Sequence, residues 1–234
     1  MTYVISDLHG YPLEKLKKLL KKANFSSDDF LYILGDIIDR NGDGGVGILP
    51  WLLEQVNVQL ILGNHEAMLL SCDFVFDEIT EGSINAISSE KIELLNNYML
   101  NGGNATLKAL RNLPKNTQQD ILDYLRDCPL YEAVTASEKD FILVHSGFNN
   151  FNKNKKIRDY SSDDLLWARP ELDDKYYDDI TTVFGHTPTF SYGEEYKGKI
   201  IKTSTWIDID CGAVYGNEPI LLRLDDYKEF KLQL

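Results

Sequence analysis

Asp7 and His9 stand two residues apart in Ser6-Asp7-Leu8-His9-Gly10, and Asp36 and Asp39 three apart in Gly35-Asp36-Ile37-Ile38-Asp39-Arg40. Asn64 and His65 adjoin in Gly63-Asn64-His65-Glu66. Two later turns, Val144-His145-Ser146-Gly147 and Phe184-Gly185-His186-Thr187-Pro188, hold one histidine each. The chain has 4 histidines in all, and every one follows a strand-like run. A single histidine in such a place is more often a hydrogen-bonded structural residue; all of them together point to a shared chemical role. Neutral imidazoles combined with carboxylates and an amide oxygen suit Mn, Fe or Zn better than Ca or Mg alone.

Two residues apart on an extended segment, Asp7 and His9 are expected to point the same way. Asp36 can bridge two cations through its two oxygens, Asn64 adds a neutral oxygen, and His145 and His186 add nitrogens. Six ligands shared by two divalent ions form the arrangement used for in-line displacement at phosphorus, with a bridging hydroxide as the attacking group. Mn2+ is the expected ion, and Fe, Zn or Ni fit the same donors. His65 then serves differently. As an imidazolium it could protonate a leaving alkoxide, oriented and kept charged by Asp39. The guanidinium fork of Arg40 matches two phosphate oxygens. A second arginine, Arg169, sits in Leu165-Leu166-Trp167-Ala168-Arg169-Pro170 before the last ligand-bearing strand.

These turns need elements to position them. Apolar runs at residues 3–5, 30–34 and 58–62 read as strands. A helix opened by Pro12 carries Leu13, Leu16, Leu19 and Leu20 at helical spacing, with its lysines as the wet face. A second helix is expected over 46–56. Strand, helix, strand, helix, strand implies a parallel sheet whose carboxyl edge gathers the motif turns. Residues 66–127 read as a helical cap, with turn signals at Glu81-Gly82-Ser83, Gly102-Gly103 and Pro114. Strands return at 130–135, 141–145, 182–184, 206–210, 220–224 and 230–234, with antiparallel pairing expected. Asp208 and Asp210 read as shaping a strand end, the polar 149–156 loop as solvated surface, and the glycine-rich 42–47 stretch as a loop lacking the P-loop Lys-Ser/Thr. One domain over 1–234 is the expected organisation.

With 24 Lys+Arg against 37 Asp+Glu, the formal net charge is −13. That balance argues against nucleic acid as the main partner, which needs a basic stripe, and against docking on an anionic membrane. It excludes neither a phosphorylated substrate nor a divalent metal. Three widely spaced cysteines without a CxxC pair read as buried thiols in a reducing compartment. No secretory signal or membrane-length apolar run is read, so a cytoplasmic location is expected. No feature points to an oligomeric state.

The series DLHG, GDIIDR, GNHE, HSG and GHTP, in this order from Asp7 to about Gly212, resembles the phosphoprotein phosphatases among the calcineurin-like metallophosphoesterases. The small bacterial and phage-type serine/threonine phosphatases are the most similar group. The resemblance implies an α/β fold with a central two-sheet sandwich flanked by helices, and a dinuclear Mn/Fe-type centre. It implies Asp7, His9 and Asp36 on one ion, and Asp36, Asn64, His145 and His186 on the other. His65 with Asp39 would be the acid pair, and Arg40 and Arg169 would bind phosphate. Asn101-Gly102-Gly103 followed by Thr106 is similar to a turn of the cap in these enzymes. Ser6 and Asn41 replace usual glycines, and Asn41 is expected to accept a left-handed backbone.

The expected function is therefore a metal-dependent phosphomonoesterase acting on phosphoserine and phosphothreonine in proteins, or on small phosphoesters. The alternative is a symmetrical diadenosine-polyphosphate hydrolase, in which Tyr192 or Tyr196 could stack on adenine. A non-catalytic, metal-stabilised binding module is the remaining reading, disfavoured because His65 and both arginines are present.

Overall fold

The computed structural model describes every residue except 79, 81, 83–86 and 234. Most of the Glu81-Gly82-Ser83 turn and the end of the 230–234 run lie outside the described residues.

Two five-stranded sheets form the frame. The first runs in the order β10(Lys228–Phe230), β9(Leu221–Arg223), β1(Thr2–Ile5), β2(Phe30–Ile33), β3(Val58–Leu60). Its β1, β2 and β3 are parallel, as the alternation of strand and helix predicts, while β9 runs antiparallel to β1 and β10 to β9. The second sheet runs β4(Tyr131–Ala136), β5(Lys139–Val144), β6(Thr181–Phe184), β8(Trp206–Asp208), β7(Ile201–Lys202). Here the antiparallel expectation fails at the centre. β5, β6 and β8 are mutually parallel, and only β4–β5 and β7–β8 are antiparallel. The reason is the long excursion between β5 and β6, which returns the chain to the same end of the sheet before it re-enters.

Side-chain alternation sorts the cores. Val4, Phe141, Leu143, Val183, Ile207 and Leu222 pack between the sheets. Tyr3 and Ile5 face outward onto α1(Leu13–Lys22), α2(Ile48–Leu53) and α3(Asn64–Ser71), with the helices α4(Ser89–Leu100), α5(Asn104–Arg111) and α6(Lys115–Asp127) completing that layer. Leu16, Leu19 and Leu20 are the buried stripe of α1. On the far face, Ile142, Val144, Phe184 and Trp206 pack under Phe148, Tyr160 and Tyr176 and the short α7(Ser162–Leu166). The three cysteines are free and buried. Among the described residues, no helix is long and apolar enough to cross a membrane.

Candidate metal centre

The carboxyl ends of β1, β2, β3, β5 and β6 deliver the motif turns to one rim, the placement expected for ligands of an open α/β sheet. The turns are not extended backbone. Asp7 (φ 51°), His9 (38°), Asp36 (54°), Asp39 (74°), Arg40 (68°) and His186 (68°) all occupy the left-handed region, which L side chains seldom adopt. Asp7 and His9 thus reach the site through two left-handed bends, not through strand alternation. The left-handed residue beside Asn41 is Arg40 itself, and Asn41 instead ties its Nδ2 to the Val214 carbonyl at 3.1 Å.

Asp36 is the hub. Its Oδ2 lies 3.5 Å from His9 Nε2 and 3.9 Å from His65 Nε2, and its Oδ1 lies 3.5 Å from His145 Nε2. Candidate ligand atoms of His9, Asp36 and His65 fall within 4.8 Å of one another, and so do those of Asp36, His145 and His186. Asn64 Oδ1 completes the second group, 2.9 Å from His145 Nε2 and 3.0 Å from His186 Nδ1. Asp7 belongs to neither tight group. Its Oδ2 accepts the His186 N–H at 2.9 Å, and its carboxyl faces Asp210 and Asp36.

The donor set fits divalent cations. His9 Nδ1 pairs with the Ile38 carbonyl at 2.9 Å and His145 Nδ1 with the Leu34 carbonyl at 2.8 Å. Those bonds place the ring protons outward and leave both Nε2 lone pairs facing the carboxylate. His186 Nε2 is buried without a hydrogen-bond partner. Burial holds the imidazoles far down, His145 at about 3 and His186 at about 2, so both are neutral ligands at neutral pH. Burial and mutual repulsion push the carboxyls of Asp7 and Asp36 well up, the signature of clustered acids lacking a counter-charge. Cations would supply that charge.

His65 is bracketed. Its Nδ1 lies 2.7 Å from Asp39 Oδ2, and Arg40 Nη2 donates to its Nε2 at 3.1 Å. Since a guanidinium can only donate, Nε2 accepts and carries no proton here. Burial first, and Arg40 second, hold the ring down to about 3. The expected imidazolium is therefore not met in this arrangement, because burial and the Arg40 charge outweigh Asp39, itself pushed up to about 7 by burial. Arg169 follows α7 and reaches Thr187 Oγ1 at 3.4 Å, beside His186. Asp210 and Asp208 shape their strand end as expected: Asp208 Oδ1 accepts the Asp210 N–H, and Asp210 Oδ1 accepts the Gly212 N–H, both at 2.9 Å.

Three residues without a role in the spacing argument organise the site. Glu66, three residues past Gly63 on the first turn of α3, accepts the N–H groups of Asp36 (2.8 Å), Ile37 (2.9 Å), Ile38 (3.3 Å) and Gly63 (3.1 Å). Its position at the third residue of a helix is the signal that could have marked it. A side chain at Gly63 would run into Asp36 and Glu66, so only glycine permits this approach. Tyr98 of α4 and Thr106 of α5 both donate to Asp39 Oδ1, at 2.7 and 2.5 Å. The cap-turn likeness alone marks Thr106 in the sequence, and nothing local marks Tyr98.

The profile described as calcineurin-like phosphoesterase matches residues 2–210. A symmetrical bis(5'-nucleosyl)-tetraphosphatase of Actinobacillus succinogenes is 31% identical over 150 residues, covering 63% of this chain and 44% of that protein. One from Buchnera aphidicola is 38% identical over 72 residues, 30% of this chain and 26% of the relative. The aligned stretch is thus less than half the length of either relative. Among solved structures, one described provisionally as a diadenosine tetraphosphatase superposes with TM-score 0.63 at 19% identity, covering 99% of this chain and 92% of its own. A serine/threonine phosphatase from Saccharomyces cerevisiae superposes with TM-score 0.56 at 14% identity, covering 100% and 80%. At such identities the superpositions establish the fold.

Proposed function

The chain belongs to the calcineurin-like phosphoesterase family, and from that premise we propose that it hydrolyses dinucleoside tetraphosphates symmetrically, as a metal-dependent phosphoesterase. This reading displaces the protein serine/threonine phosphatase expected from the motifs. The observation that carries it is the sequence match to relatives named symmetrical bis(5'-nucleosyl)-tetraphosphatases, at 31% identity over 150 residues. The site chemistry agrees. A nucleoside diphosphate leaves as a stabilised anion and needs little protonation, whereas a serine alkoxide needs a donor. His65, with Arg40 donating to its Nε2, offers no proton at that atom.

Asp7, His9, Asp36, Asn64, His145 and His186 are the residues proposed to hold two divalent ions. When bound, such ions polarise phosphoryl oxygens and make water nucleophilic near neutral pH. The chain's own groups do the rest. Arg40 and Arg169 would grip the non-bridging oxygens of the phosphate chain. His65, fixed by Asp39, would orient the leaving oxygen and, once Arg40 turns to substrate, could take up a proton at Nε2. Glu66 keeps the Asp36 turn rigid by accepting the successive N–H groups of residues 36–38.

A phosphomonoesterase is the second reading: with Arg40 drawn from His65 onto a phosphate, Nε2 beside the Asp39-held Nδ1 would be free to carry a proton to a leaving alkoxide. Incubating Mn2+-loaded protein with diadenosine tetraphosphate, and resolving the products by ion-exchange chromatography, tests the first. ADP as sole nucleotide product supports it. AMP with ATP, or no cleavage alongside rapid turnover of a phosphoserine peptide, overturns it.

A further inference from the structure

A groove of about 370 Å³ lies between α3, α4 and α7 against the metal-centre residues. Asn64 belongs to both, lining the groove while its Oδ1 faces His145 and His186. Trp167 forms the facing edge. Its indole stands edge-on to His186 with ring centroids 5.9 Å apart, yet 41% of the residue is exposed. Met68 and Leu94 add apolar wall, and Asn97 and Asp163 add polar atoms.

The lining selects its occupant by chemistry. Among the described residues it contains no lysine or arginine, so a phosphate would find no counter-charge there. The cations near the cluster, Arg40 and Arg169, stand outside the groove. An accessible indole with apolar walls suits a flat heteroaromatic ring. A carboxylate and an amide nearby suit the exocyclic amine and ring nitrogens of a purine. Tyr192 and Tyr196, the residues expected to stack, are unsuited. Both pack into the cluster around Trp206, and the Tyr192 hydroxyl is buried.

We propose that this groove is a nucleobase subsite, with Trp167 as its stacking platform and Asn64 joining it to the phosphoryl centre. The inference rests on the dinucleotide reading, because only a substrate with a base beside its phosphate chain would use it. It identifies the specificity element as a tryptophan two residues before Arg169, so one short segment after α7 would address both base and phosphate.

Titration calorimetry on Mn2+-loaded parent, Trp167→Phe and Trp167→Ala proteins, with ADP and inorganic pyrophosphate as probes, tests it. The parent should bind ADP on the order of tenfold tighter than pyrophosphate, the scale of one base stack. Trp167→Phe should keep most of that ratio, and Trp167→Ala should bring it near one while pyrophosphate still binds. A ratio unchanged in Trp167→Ala overturns the proposal. So does equal weakening of both probes, which would place Trp167 at the phosphate site through His186. Weakened binding of a phosphoserine peptide with an intact ADP ratio also overturns it, in favour of a peptide groove. Failure of the dinucleotide reading shows separately, as absent cleavage of diadenosine tetraphosphate by the parent.

Discussion

Thr106 Oγ1 donates to Asp39 Oδ1 across 2.5 Å, joining the cap helix α5 to the turn after β2. The same hydroxyl oxygen accepts the Asp39 N–H at 3.0 Å, and Tyr98 of α4 donates to the same carboxylate oxygen at 2.7 Å. Only Oδ2 is left for His65. The cap therefore fixes which face of Asp39 the imidazole meets.

Removing that anchor should be costly. Thr106→Val keeps the shape but removes one charge-assisted hydrogen bond to Asp39, whose Oδ1 keeps Tyr98 and whose N–H keeps the Gly44 carbonyl, a loss of about 1–2 kcal/mol. Thr106→Ser should retain most of the stability. Urea unfolding of the three proteins at one pH checks the order.

Glu66→Ala should strip the acceptors from the 36–38 turn and from Gly63. Loosening a group that orients the ligand-bearing turn should lower Mn2+ affinity roughly 10–100-fold. Glu66→Gln, with one oxygen kept, should fall between. Competitive titration against a metal-sensing dye gives the affinities.

Asp36 faces three imidazoles, so Asp36→Asn should remove bound metal and activity together. Elemental analysis of protein purified without chelator should find well under the parent's metal content. Retention of two ions per chain would refute its bridging place.

In the metal-free protein, burial, followed by His145 and Arg169, holds His186 down to about 2, against an unfolded value near 6.5. A base depressed in the fold contributes stability that is present above the unfolded pKa and lost as pH falls through that window. Between pH 7.5 and pH 5, chelator-treated parent should therefore lose about 2 kcal/mol more than His186→Asn. Denaturant melts of both proteins at the two pH values, in EDTA, measure the difference.

The motif turns are legible in the sequence because each is a short run of unusual residue types at a strand end. The parallel β1–β2–β3 unit is legible from its alternating periods. What the sequence hides is non-local. β6 and β8 are only four and three residues long, and their parallel pairing is set by the chain's path outside them. Tyr98 reaches Asp39 from 59 positions away, and no spacing rule records such a bond. The left-handed bends at Asp7 and His9 are hidden because both are ordinary L residues where glycine would have announced a turn. The charge of His65 is hidden for another reason: its burial depends on elements distant in sequence.

The sandwich places Asp36 at the rim of one sheet and His145 at the rim of the other, with Leu34 and Asn64 of the first sheet's loops touching the second sheet's histidine. An ion gripped by both would act as a clasp across the open end of the sandwich. Metal affinity and the stability of the two-sheet packing at that end would then be linked, so that whatever loosens one would weaken the other.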